Sequence, residues 1–230
     1  MHFPPFQERL LHAVLPVCER YGLVLAGGYA IKAHGFTDRP SKDLDFATAK
    51  ETPLPDVAAG VVGAFQKADL EASIIEVTPR MGRLMVEDMA TGETCEFDLL
   101  REALQQAPIT CGSLKVLGLD DAVGLKMRAV HERSLARDII DIASVSHLYS
   151  YRELEQLAAM HHDYFSIHEL LTRLEYVDLM DDEAFEAYGV VETQIKEIRR
   201  FAQGWAADIK LRRADDGDVD YDADDVPDID

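Results

Sequence analysis

Two aspartates, Asp43 and Asp45, are the side chains in this sequence whose types and spacing most readily do chemistry. They fall in residues 42–48, which alternate as a strand does, with Leu44, Phe46 and Thr48 on one face. Asp43, Asp45 and Ala47 then share the other face, because successive strand side chains point to opposite sides. Two carboxylates one strand period apart repel each other unless a cation lies between them. A divalent metal is the simplest reason to build such a pair, and metal ions clamped by carboxylates suit phosphoryl and nucleotidyl transfer, where charged oxygens must be held and neutralised. Magnesium keeps several waters and takes few carboxylates, so Asp43 and Asp45 are expected to bind it. Fourteen residues separate this pair from Gly27 and Gly28, where a missing Cβ would let a phosphate approach main-chain N–H groups closely. The plainer alternative is a glycine turn beside a surface strand with solvated aspartates.

Further residues extend the pattern. In CEFDLL the alternation puts Glu96 and Asp98 on one face, and Asp98, flanked by Phe97 and Leu99, is the better candidate for a third metal carboxylate. Residues 118–145 repeat Leu119, Val123, Met127 and Val130 at helical spacing, while Lys126 and Arg133, two turns apart, share another face. Arg137, Asp138 and Asp141 open the helix that follows. Lys126 is expected to reach a nucleotide's phosphates beside this Arg–Asp cluster, with Asp138 orienting it or serving as acid/base.

The elements that must hold these residues read as a mixed α+β half followed by a helical half. Residues 6–21 have helical spacing, which Pro16 should bend or shorten, and residues 29–34 form a short helix after the glycines. The stretch 36–41, with Asp38, Arg39 and Pro40, is a turn-rich lead into the aspartate strand. Residues 53–68 read as a helix, and 72–78, 83–88 and 94–100 as three strands joined by hairpin-like connections. Strand signals fade after residue 117. The expected organisation is an α/β unit over 1–117, a helical bundle over 118–213 that completes a cleft, and an acidic disordered tail over 214–230.

Composition narrows the partners. The net charge is −20, which argues against binding nucleic acid by bulk attraction. Nine aspartates lie in the final 17 residues, so the preceding 213 carry −11. Basic residues on the last helical stretch (Lys196, Arg199, Arg200, Lys210, Arg212 and Arg213) could face RNA, solvent or the acidic tail. Three widely spaced cysteines, no basic-then-apolar leader and no apolar run near 20 residues predict a cytoplasmic protein with no membrane association.

The joint occurrence of AGGYAIKAHG, RPSKDLDF and LKMRAVHERSLARDIIDIASV resembles the nucleotidyltransferase toxins of the AbiEii/AbiGii type, MenT toxins included, within the polymerase-β-like nucleotidyltransferase superfamily. The family pattern falls here on Gly27 and Gly28, on Ser41, Lys42, Asp43 and Asp45, on Lys126, and on Arg137, Asp138 and Asp141. The resemblance implies a polymerase-β-like α+β fold, magnesium, a nucleoside triphosphate contacted by Gly27, Gly28, Lys42 and Arg137, and a cognate antitoxin. It further implies transfer of nucleotides to the 3′ end of tRNA and a block of translation. Tyr29 stands where the family has a hydroxyl residue, so a side-chain phosphate contact is not expected there. Two other functions compete: transfer to a small cationic acceptor such as an aminoglycoside, which the acidic surface suits, and a non-catalytic nucleotide-binding module.

Overall fold

A computed structural model describes residues 2–215. In chain order it forms α1 (Pro5–Tyr21), β1 (Val24–Leu25), α2 (Gly27–Ala33), β2 (Leu44–Thr48), α3 (Leu54–Lys67), β3 (Glu71–Val77), β4 (Met81–Asp88), β5 (Glu93–Arg101), β6 (Ile109–Cys111) and β7 (Leu114–Val116). Helices follow: α4 (Leu119–Glu132), α5 (Ala136–Ser144), α6 (Tyr151–His161), α7 (Ile167–Tyr176), α8 (Asp182–Glu186) and α9 (Glu192–Asp215). Ala214 and Asp215, expected in the acidic tail, belong to α9; the rest of that stretch lies outside the described residues. Among the described residues no helix is long and apolar enough to cross a membrane.

The strands make one mixed sheet in the order β3-β4-β5-β2-β1-β7-β6. β2 lies near its centre, parallel to β5 and antiparallel to β1, so the aspartate strand is held on both edges. Its apolar face is fixed from behind: Phe46 stacks on Phe97 at 5.0 Å, and Phe65 of α3 meets Phe97 edge-on at 5.3 Å. With Leu44 and Phe46 buried in that layer, the pleat turns Asp45 to the opposite side. Two expectations change. α1 is continuous through Pro16, which lies on its exposed side while Leu10, Val14, Cys18 and Tyr21 bury one unbroken stripe. The glycines form the first turn of α2 instead of preceding it.

The helical half packs on that opposite side, with α4 against both α2 and α6. Gly124 permits the α4–α6 approach, since a Cβ there would lie 2.3 Å from His161 Cδ2 and 2.8 Å from the Leu157 carbonyl oxygen. Gly124→Ala is expected to destabilise the fold by about 1–3 kcal/mol through overpacking against that carbonyl. An unchanged urea midpoint would show that the two helices can separate without cost. α9 is tied to its neighbours by charge: Arg212 forks onto Glu155 of α6, Lys210 meets Glu175 of α7 and Arg199 meets Asp182 of α8, while Lys196 pairs with Glu192 within α9. Lys196, Arg199, Lys210 and Arg212 are thus engaged by the protein's own acids.

Candidate active site

The side chains singled out by spacing converge where β2, the first turn of α2, β5, α4 and α5 meet. Asp43, just before β2, accepts a hydrogen bond from Ser41 Oγ at 2.9 Å and another from Arg137 Nη1 at 3.0 Å. Burial opposes its charge, but Arg137 and Ser41 outweigh that and hold its pKa below the ordinary aspartate value. Asp45 differs. Its main-chain carbonyl accepts from the Ala26 N–H, but no described residue donates a hydrogen bond to its carboxylate; burial, then the Asp43 charge, push its pKa up to about 7. Asp98 on β5 is its register partner, and Arg83 of β4 forks onto both Asp98 oxygens at 2.9 and 2.6 Å.

The glycines have a more specific role than a phosphate cradle. A Cβ on Gly27 would stand 1.8 Å from Asp45 Oδ2, and one on Gly28 would stand 2.5 Å from a terminal nitrogen of Arg39. Both missing side chains make room for the protein's own charged groups. Gly27 also has φ +59°, a conformation glycine adopts readily. Tyr29, the residue in place of a hydroxyl, is buried and turned away; its phenol donates to Gln7 Oε1 and lies 3.4 Å from the Ser41 carbonyl, steadying the loop that carries Asp43.

From the helical side, Lys126 Nζ lies 3.0 Å from Asp141 and 3.4 Å from Asp138. Burial works against its charge, and the two aspartates more than compensate, so the lysine is held charged. Arg133 forks onto Asp138 at 2.9 and 3.1 Å, and Arg39 forks onto Asp141 with both contacts at 2.6 Å. The pKa of Asp138 is lowered, burial being overcome by Lys126 and Arg133. Both Asp138 oxygens are taken by Arg133, and Lys126 also meets one of them, so its contacts are with the site's own cations. Orienting Lys126 is the role its geometry supports.

Two connected spaces open at this point. A polar pocket of about 30 Å³ is lined by Asp43, Asp45 and Asp98 together with Gly28, Lys126 and four arginines, Arg39, Arg83, Arg133 and Arg137. Beside it a cleft of about 530 Å³ is lined by Gly27, Asp45, Asp98 and Lys126 and runs past Leu100 and Leu125 to a rim at Arg80 and Tyr164. The structure thus brings together Gly27, Gly28, Asp43, Asp45, Asp98, Lys126, Arg137 and Asp138. It leaves Lys42 out: that side chain is exposed and lines neither space. Asp98, expected as a third metal carboxylate, accepts the Arg83 fork on both oxygens.

Among the described residues no three His, Cys, Asp or Glu side chains converge as a metal cage. The residues nevertheless fit a hard cation: Asp45 is an acidic oxygen donor without a partner, next to Asp43, at a polar pocket of ion size. The residue that the spacing did not single out is Arg39; for Arg83, what it did not supply is the partner, Asp98. Arg39 sits in a turn-like Asp-Arg-Pro stretch, where an arginine ordinarily faces water. Its only signal was its place between the glycines and the aspartate pair.

The aspartates of β2, the glycine turn beside them and the lysine of the following helix α4 thus meet at one cleft. JHP933 from Helicobacter pylori has the same fold, with a TM-score of 0.58 and 17% identity over 92% of this chain and 95% of that one. MenT4, a nucleotidyltransferase toxin from Mycobacterium tuberculosis, aligns with a TM-score of 0.53 and 16% identity over 93% of this chain and 89% of its own. No curated protein sequence matches this chain. The family model described as nucleotidyl transferase AbiEii toxin, type IV TA system, matches residues 9–222, and the chain belongs to that family. It is therefore a nucleotidyltransferase of the toxin–antitoxin class, a class that implies an antitoxin and a nucleoside triphosphate substrate.

Proposed function

We propose that this enzyme transfers a nucleotide from a nucleoside triphosphate to the 3′ end of tRNA with magnesium at Asp43 and Asp45, and so blocks translation. The observation that carries the reading is the unpartnered Asp45 beside Asp43 at the mouth of a cleft of about 530 Å³. The chemistry an ion supplies there is neutralisation of the triphosphate while an acceptor hydroxyl displaces pyrophosphate from the α-phosphorus. The protein's own residues do the rest. Arg137 and Ser41 fix the Asp43 carboxylate, and Lys126, braced by Asp138 and Asp141, keeps a charged ammonium on the cleft wall. At the rim Tyr164, 84% exposed, offers a face on which an RNA base can stack.

Mass spectrometry of cellular tRNA after induction tests the acceptor: added 3′ nucleotides are expected, and growth arrest with unmodified tRNA would refute it. Labelled nucleotide on an aminoglycoside instead would move the reading to a small cationic acceptor, which the net charge of −20 favours.

Asp45 also predicts a pH signature. Its folded pKa of about 7 lies above the ordinary 3.8, so between these values the folded protein holds a proton that the unfolded chain has lost. This group's contribution to stability is present below the lower value and is lost as pH rises through about 7. Magnesium binds the ionised form, so it is expected to raise the melting temperature more at pH 8 than at pH 5. Equal shifts at the two pH values would remove Asp45 from the metal site.

A further inference from the structure

Arg83 and Lys126 both meet site carboxylates, but in ways that differ physically. The Lys126 side chain is 8% exposed and lies between two fully buried aspartates. Moving it would leave two buried charges uncompensated. The Arg83 side chain is 40% exposed over an Asp98 side chain that is 11% exposed, so its guanidinium covers the carboxylate from the cleft side. It lines both the cleft and the polar pocket. Arg83 and Asp98 are direct cross-strand partners on β4 and β5, and Asp98 is in turn the register partner of Asp45. An arginine fork on both Asp98 oxygens and a metal ion compete for the same lone pairs. The same planar fork also matches phosphate oxygens.

We propose that Arg83 is an exchangeable counter-ion. Without substrate it keeps Asp98 out of the metal-binding set; a triphosphate in the cleft draws the guanidinium away, and Asp98 is released to join Asp43 and Asp45. The third carboxylate is then available only when substrate is present. This rests on the nucleotidyl-transfer reading and assigns Arg83 a phosphate contact that its fork on Asp98 conceals.

The test is Mn²⁺ titration of the nucleotide-free protein, followed by loss of the free-ion EPR signal. Arg83→Gln is expected to bind Mn²⁺ roughly tenfold more tightly than the wild type, and the double variant Arg83→Gln/Asp98→Asn to return to the wild-type value. In calorimetry without divalent ions, Arg83→Gln is expected to bind inorganic tripolyphosphate roughly tenfold more weakly. A folded Arg83→Gln with unchanged Mn²⁺ affinity, or a gain that survives in the double variant, overturns the proposal. If Arg83→Gln does not fold, Arg83→Thr, an uncharged residue suited to a β-strand, is judged by the same criteria. Asp45→Asn separates the two levels. If wild type and Asp45→Asn bind Mn²⁺ alike, the metal reading fails; if Asp45→Asn loses binding while the Arg83 variants change nothing, only the exchange fails.

Discussion

Gly27→Ala is expected to abolish nucleotidyl transfer while leaving the protein folded. A Cβ at this position would lie 1.8 Å from Asp45 Oδ2 and 2.6 Å from Asp45 Cγ, distances no packing adjustment can absorb with the carboxylate in place. The residue also needs φ +59°, which alanine adopts at a cost of about 1 kcal/mol. The carboxylate borders an open cleft and can swing aside, and the remaining contact, 2.9 Å to Asp45 Cβ, takes a small backbone shift, so the fold is expected to survive at reduced stability. The metal donor then no longer sits beside Asp43. Displacing a carboxylate by an ångström or more costs on the order of a hundredfold or greater in rate. A steady-state assay alongside a melting curve checks this: activity near the wild-type level would mean that the position of Asp45 is not what catalysis uses.

The second large effect is on stability. Arg39→Met is expected to lower stability by about 3 kcal/mol, because breaking a buried ion pair from one side leaves a charge without its partner. The Arg39 side chain is 4% exposed and that of Asp141 is fully buried, and two charge-assisted bonds of 2.6 Å join them. After the change Asp141 keeps Lys126 alone among its ion-pair partners. In a protein of this size such a loss corresponds to roughly 6–12 °C in melting temperature. Arg39→Lys keeps the charge but cannot make the fork, so it is expected to fall between the two. A melting temperature within a degree of wild type for Arg39→Met would show that Lys126 suffices.

These two residues also mark where the sequence was legible. The aspartate strand could be read because burial of Leu44 and Phe46 dictates that Asp45 faces the other way, a consequence of the strand's two-residue period. The Lys126 helix and the Arg137–Asp141 turn could be read for a similar reason, since helical spacing alone fixes which residues share a face. What spacing could not supply was partnership across the chain. Arg39 and Asp141 are 102 positions apart, and Arg137 and Asp43 are 94 apart, so nothing local ties them. The glycines were legible as necessary but not in purpose, because their neighbours are long-range side chains. β6 also went unread: three residues with an exposed pattern at the sheet edge carry no alternation signal.

The central claim is that the Asp43–Asp45 pair supports nucleotidyl transfer. Its most direct test is incubation of the purified protein with α-labelled nucleoside triphosphates, magnesium and a tRNA pool, beside Asp45→Asn. Label is predicted to pass to RNA with the wild type, and the rate to fall by about a thousandfold or more with Asp45→Asn, a loss of roughly 4 kcal/mol in the barrier. Transfer by Asp45→Asn at the wild-type rate would contradict the claim.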